Sequence, residues 1–109
     1  MSEAFNKKAS IAIVNIINKN NNINRQIKVK DTLEILTKSS KIYRQNINTK
    51  IIAITGSCGK TTLKELLGTS LKQISKVSIS PKSYNNKYGV PLSLFNLVQK
   101  NDYGVLEIG

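Results

Sequence analysis

The apolar positions change period along the chain, and those changes mark out the elements. Residues 1–8 read as the tail of a helix, and ASIAIVN (9–15) is a short, mostly apolar run that predicts a strand. NKNNNIN (18–24) has turn composition and no period, so a loop is expected. QIKVK (26–30) alternates apolar and basic residues and predicts a second short strand. Asp31 and Glu34 form an Asp-x-x-Glu variant of the capping box ahead of a helix expected over 32–46, with Leu33, Leu36, Tyr43 and Ile47 near one face. That spacing assigns Asp31 to the cap, where its carboxylate accepts from first-turn amides, rather than to catalysis.

KIIAIT (50–55) is a continuous β-branched run, the pattern of a buried parallel strand. After the small-residue stretch TGSCGKTT (55–62), helical spacing over 61–74 puts Leu63, Leu66, Leu67, Ser70, Leu71 and Ile74 on one stripe. KVSIS (76–80) predicts a strand and PKSYNNKYG (81–89) a loop. Pro91 suits the first turn of a helix reaching about Val98, and YGVLEIG (103–109) climbs into a last apolar strand. From Lys50 onward the order is strand, helix, strand, helix, strand, which predicts an α/β domain with a parallel sheet. The chain stops at the end of a strand, where a loop should continue, so the pattern reads as a truncated domain.

Composition narrows the chemistry. In 109 residues there is no His and one Cys, which excludes His-based acid–base catalysis, an internal disulfide and a Cys-based zinc site within this chain. The single Cys fits a reducing compartment, no signal pattern opens the chain and no apolar run nears 18 residues. A cytoplasmic protein without membrane insertion is expected. The formal charge is +11, but Lys (15), Ile (15) and Asn (13) all have AT-rich codons, and the charge is spread along both halves. No basic stretch is interleaved with aromatics, so a nucleic-acid partner is not expected.

The strongest chemical signal is Gly56-Ser57-Cys58-Gly59-Lys60-Thr61, between an apolar strand and an amphipathic helix. Glycines let backbone amides curl toward an anion, the helix N-terminus adds partial positive charge, and a Lys can meet outer phosphates. The following hydroxyl can ligate Mg²⁺. Taking Gly at roughly 7% of residues, a chance match of this kind has odds on the order of 1%. The common P-loop spacing would need Gly at position 54, where this chain has Ile54.

TGSCGKTTLKELL resembles the ATP-binding loop and following helix of the Mur ligases, and YGVLEIG resembles a later strand of the same family. NNKYGVPLSLFNL resembles the branch that adds D-alanyl-D-alanine to a UDP-N-acetylmuramoyl-tripeptide during peptidoglycan synthesis. IKVKDTLEILTKSSKIYRQ resembles the end of that branch's N-terminal domain and the connecting helix. The resemblance implies a P-loop-type ATPase core over 49–109, preceded over 1–48 by part of a smaller α/β domain that binds the UDP-precursor. It implies ATP and Mg²⁺ as cofactors, with Gly56, Ser57, Cys58, Gly59, Lys60, Thr61 and Thr62 around the phosphates. Lys60 is the implied catalytic contact to the β- and γ-phosphates, Thr61 and Glu107 are the implied metal ligands, and Asn85 and Asn86 match asparagines beside the nucleotide site.

The implied reaction transfers the γ-phosphoryl group to the precursor carboxylate, and the dipeptide amine then attacks the acyl phosphate. The implied enzyme is a monomer. Cys58 stands where the family usually has Asn or Ser, so no chemical role is expected of its thiol. Lys82-Ser83 stands where many relatives have Gly-Asn. The family's later central-domain His and Lys, and its C-terminal domain, have no counterpart among these residues, so this stretch alone is expected to be inactive. Three alternatives share parts of the pattern. Another amino-acid-adding Mur ligase shares the loop. A polyglutamyl ligase tends to carry Gly-Lys-Gly-Ser, against Thr62 and the GVPL stretch here. A non-ligase P-loop NTPase would favour the standard spacing that Ile54 breaks.

Overall fold

The computed structural model describes residues 2–109, which fall into two compact units, one ending at Ile35 and one spanning Leu36–Gly109. In the first, α1 (Ser2–Asn6) precedes two short parallel strands, β1 (Ala12–Val14) and β2 (Gln26–Lys28), with Ile13 opposite Ile27. The expected helical tail over 1–8 is thus five residues long, and Met1 lies outside the described residues. The Asn-rich loop is held by one side chain. Gln26 donates to the carbonyls of Asn18 (3.0 Å) and Asn21 (2.9 Å) and accepts from the Asn18 amide (2.8 Å).

The helix α2 (Thr32–Gln45) starts where its cap predicts, with the Asp31 carboxylate accepting from the amides of Leu33 (2.8 Å) and Glu34 (3.2 Å). From Leu36 onward this helix belongs to the second unit. There Tyr43 donates to the Leu97 carbonyl, and its ring lies 5.4 Å from that of Phe95.

The second unit is built on three parallel strands, β3 (Lys50–Ile54), β4 (Val77–Ile79) and β5 (Tyr103–Glu107), in the order β3-β5-β4. The last strand in sequence is therefore the central one. Val105 and Leu106 are buried there, and each such side chain contributes about 1.5–3 kcal/mol. Side chains alternate across a strand, so β5 presents Val105 and Glu107 to one face and Gly104 and Leu106 to the other. The helix α3 (Lys60–Lys72) meets the Glu107 face. On the other face, a Cβ at Gly104 would overlap the side chain of the fully buried Leu97, which follows α4 (Gly89–Phe95). Helical segments thus cover both faces, the α/β arrangement the element order predicts. Among the described residues no helix is long and apolar enough to cross a membrane.

Three expectations are corrected. β3 was expected to be buried. It pairs only with β5 among the described residues, and of its five residues only Ile54 is buried. The apolar stripe of α3 is only partly covered: Leu67 and Leu71 are half-buried and Leu63, Leu66 and Ile74 are exposed, while the buried residues of the helix are Lys64 and Gly68. The cause is close approach at Gly68, which rests on Ile79, together with a polar cluster that draws Lys64 inward. Finally, α4 spans Gly89–Phe95, with Pro91 in its first turn as expected, but it ends at Phe95 rather than near Val98.

Candidate nucleotide and metal site

The carboxyl ends of β3 and β5 are level. Ile54 is the register partner of Glu107, and the Ile108 amide donates to the Ile54 carbonyl over 2.8 Å. The chain leaving β3 becomes the glycine loop, so residues far apart in sequence meet at the sheet edge where α/β proteins bind ligands.

Two loop glycines carry left-handed backbone, Gly56 at φ 151° and Gly59 at φ 74°, conformations that a Cβ disfavours. Gly59 is the residue before α3. The Leu63 amide makes the first helical bond, to the Gly59 carbonyl (2.9 Å), so the amides of Lys60, Thr61 and Thr62 lie ahead of the intrahelical ladder. That is the donor arrangement an anion needs. Lys60 folds back over the loop, its Nζ donating to the Gly56 carbonyl at 2.6 Å. Ser57 and Cys58 are exposed within the loop, and the Cys58 thiol is free.

Thr61 and Glu107, implied as metal ligands, are brought together. The Thr61 hydroxyl donates to Glu107 Oε2 at 2.8 Å, and Asn85 Nδ2 donates to Oε1 at 2.9 Å. The Glu107 amide donates to Ser80 Oγ at 3.1 Å, and Glu107 is only 4% exposed. The hydrogen bond from Asn85, then that from Thr61, hold its carboxyl below the ordinary carboxylate range. Burial works the other way, and the Lys64 charge adds to the lowering.

Asn86 does a different job from Asn85. Its Oδ1 accepts from the amides of Tyr88 (3.0 Å) and Gly89 (2.8 Å), which caps α4 and fixes the loop that aims Asn85 at Glu107. Asn85 is tied a second time, its carbonyl accepting from the Gly109 amide at 2.6 Å. In the same loop Ser83 sits at φ 64°, left-handed backbone that residues other than glycine seldom adopt. Beside Asn85 and Asn86 lies a cavity of about 490 Å³ that Val90, Pro91 and Ile108 also line.

Two members of the site were missed by sequence reasoning, Ser80 and Lys64. Lys64 is fully buried with Nζ 3.5 Å from Glu107 Oε2. The available signal was helical spacing: Lys64 stands three residues after Thr61 and so shares its face of α3.

The donor set bears on which cation could sit here. Among the described residues no three His, Cys, Asp or Glu side chains cluster as a metal site. A carboxylate and a hydroxyl at hydrogen-bond distance fit an ion that takes oxygen ligands and keeps several from water and phosphate, as Mg²⁺ does.

Residues 54–109 match the family described as the Mur ligase middle domain. The chain is 36% identical over its full 109 residues to the UDP-N-acetylmuramoyl-tripeptide–D-alanyl-D-alanine ligase of Buchnera aphidicola subsp. Baizongia pistaciae, and spans 24% of that protein. It is 36% identical over 84 residues to the Escherichia coli ligase of the same name, covering 77% of this chain and 19% of that protein. Among solved structures, the UDP-N-acetylmuramoylalanyl-D-glutamyl-2,6-diaminopimelate–D-alanyl-D-alanyl ligase of Acinetobacter baumannii superposes with a TM-score of 0.86 at 35% identity, covering 100% of this chain and 24% of that one. The Thermotoga maritima MurF ligase in complex with ADP gives a TM-score of 0.79 at 32% identity, covering 97% and 24%.

Proposed function

The chain belongs to the Mur ligase family, and from that premise we propose that the full-length protein is an ATP-dependent ligase joining D-alanyl-D-alanine to a UDP-N-acetylmuramoyl-tripeptide. The observation that carries this reading is the meeting of Lys60, Thr61 and Glu107 at one sheet edge, beside the loop that presents Asn85. The relatives that share this stretch carry that ligase name, and the structural neighbour solved with ADP supports nucleotide binding at such a fold.

Each residue then has a task. The amides of Lys60, Thr61 and Thr62 and the loop glycines receive the β- and γ-phosphates, and Lys60 leaves the Gly56 carbonyl to meet them. Lys60 places positive charge where negative charge spreads over the transferring phosphoryl oxygens. Thr61 and Glu107 would hold Mg²⁺, which when bound neutralises phosphate charge. Asn85 holds the carboxylate, and Ser80 holds the backbone amide of the same residue. The cavity beside Asn85 offers room for the precursor's peptide end.

In the reaction, a carboxylate oxygen of the tripeptide attacks the γ-phosphorus and ADP leaves. The dipeptide amine then attacks the acyl carbon, loses a proton and expels phosphate. The full-length protein should release phosphate from ATP only when both precursor and D-alanyl-D-alanine are supplied. Equal release with a single amino acid in place of the dipeptide would assign it to another branch of the family. Release with no acceptor would make it a plain NTPase.

A further inference from the structure

Lys64 has no task in the scheme above, yet it is the largest fully buried side chain in the described structure. Removing an ammonium group from water is costly unless close oxygen partners replace the water. Around Lys64 the oxygens stand off: the Pro81 carbonyl at 3.4 Å, Glu107 Oε2 at 3.5 Å and Glu65 Oε1 at 3.9 Å. A tight ammonium–carboxylate bond would measure about 2.7–2.9 Å. The short bonds to Glu107 come instead from neutral donors, Thr61 and Asn85. Lys64 therefore neutralises the Glu107 carboxylate without locking it. It also lies between two carboxylates, one buried in the site and one, Glu65, about half exposed on the outside.

We propose that Lys64 is the internal counter-cation of the metal carboxylate, holding the charge of Glu107 until nucleotide brings a divalent ion. The inference rests on the reading of Glu107 as a metal ligand. With Lys64 in place, a free divalent ion must approach a carboxylate whose charge is already balanced, and like-charge repulsion opposes it. Phosphate oxygens supply the missing negative charge, so metal enters together with nucleotide. Lys64 then leans toward Glu65 and the Pro81 carbonyl, which are already within 4 Å. Lys64 is a positioning residue in this scheme and touches no substrate.

The test is Mn²⁺ binding to the full-length protein at fixed neutral pH, read as free Mn²⁺ by electron paramagnetic resonance with and without ADP. Wild type should bind Mn²⁺ weakly alone and well with ADP. Lys64→Met should bind Mn²⁺ without nucleotide about tenfold or more tightly than wild type, Lys64→Arg should behave as wild type, and adding Glu107→Gln to Lys64→Met should abolish the gain. A purely structural ion pair predicts lower stability in Lys64→Met with no gain in Mn²⁺ affinity, and that outcome overturns the proposal. If Glu107→Gln alone leaves Mn²⁺ binding in the presence of ADP unchanged, the metal reading of Glu107 itself fails. That result is separable from an absent Lys64 effect when Glu107→Gln does weaken binding. Lys64→Gln serves as a second neutral variant. Should neither fold, wild-type Mn²⁺ affinity that is equal with and without ADP overturns the proposal.

Discussion

The hydroxyl of Thr61 and the carboxylate of Glu107 are 2.8 Å apart although 46 positions separate them in the chain. Nothing local to either residue produces that contact. It follows from β3 and β5 being parallel register partners, so that the helix leaving one strand begins over the end of the other. In the proposed site the contact is a rest position for two oxygens that later share an ion. Thr61→Ser keeps the oxygen and should retain most turnover in the full-length enzyme. Thr61→Ala should raise the Mg²⁺ concentration needed for half-maximal rate. Initial rates across a Mg²⁺ titration decide it, and matching profiles for the two variants would remove Thr61 from the metal site.

Lys60 should separate function from stability. Its Nζ donates to the Gly56 carbonyl in a solvent-exposed hydrogen bond, so Lys60→Ala should move the thermal midpoint little, by the equivalent of less than about 0.5 kcal/mol. Turnover should fall by at least about 10²–10³-fold, the loss expected when one charge-stabilising donor is removed from a preorganised site. A variant that keeps a tenth of wild-type turnover would show that the loop amides suffice without it.

Much of this arrangement was readable from local signals. The β-branched runs, the Asp31 cap and the glycine-lysine loop each announce themselves within a few residues, and each lies where the sequence places it. The order of strands was not readable. β5 is central because both β3 and β4 pair with it, and no residue in KIIAIT signals that its strand pairs only with β5 among the described residues. Lys64 was hidden for a related reason. Hydrophobic periodicity ranks Lys as surface and selects Leu63 and Leu66, but the charge that draws Lys64 inward is supplied by Glu107, far along the chain. The paired asparagines show the same limit at short range. Identical neighbours divide into an orienting group, Asn85, and a helix cap, Asn86, according to which way the loop turns them.

Glu107 should also leave a signature in acid. Its carboxyl is held below the ordinary range by Asn85 first, then Thr61, with Lys64 contributing. The unfolded chain, whose Glu titrates near pH 4.3, therefore takes up this proton before the native state does. Stability from Glu107 is thus fully present above that range and is lost as pH falls through its lowered value. The thermal midpoint of wild type minus that of Glu107→Gln should be constant from about pH 8 to 5 and shrink below about pH 4. A difference that stays level down to pH 3, or grows, would show that the carboxylate is not preferentially ionised in the fold.

The height of α3 above the sheet is set by Gly68, and a methyl group there tests whether that height matters to the site. A Cβ at this position would overlap Ile79 Cδ1 and Ile79 Cγ1. Helix propensity alone favours Ala over Gly by about 1 kcal/mol, so on an open helix Gly68→Ala would stabilise. Here overpacking costs about 1–3 kcal/mol, and the net effect should be destabilising. Relief requires either that Ile79 turn away or that α3 rise from β4. If α3 rises, Thr61 and Lys64 withdraw from Glu107, because both contacts join the same helix to the sheet. Gly68→Ala should therefore lower the thermal midpoint and also raise the Mg²⁺ requirement. Ile79→Ala removes both clashing atoms and leaves space that the new methyl can fill. The double variant should then be more stable than the two single effects sum to, by about 1 kcal/mol or more, and its Mg²⁺ requirement should return toward that of wild type. Thermal midpoints and Mg²⁺ titrations of the three variants check both parts. Simple additivity would show that Gly68 and Ile79 do not meet as described, and a higher midpoint for Gly68→Ala alone would show that propensity outweighs the contact.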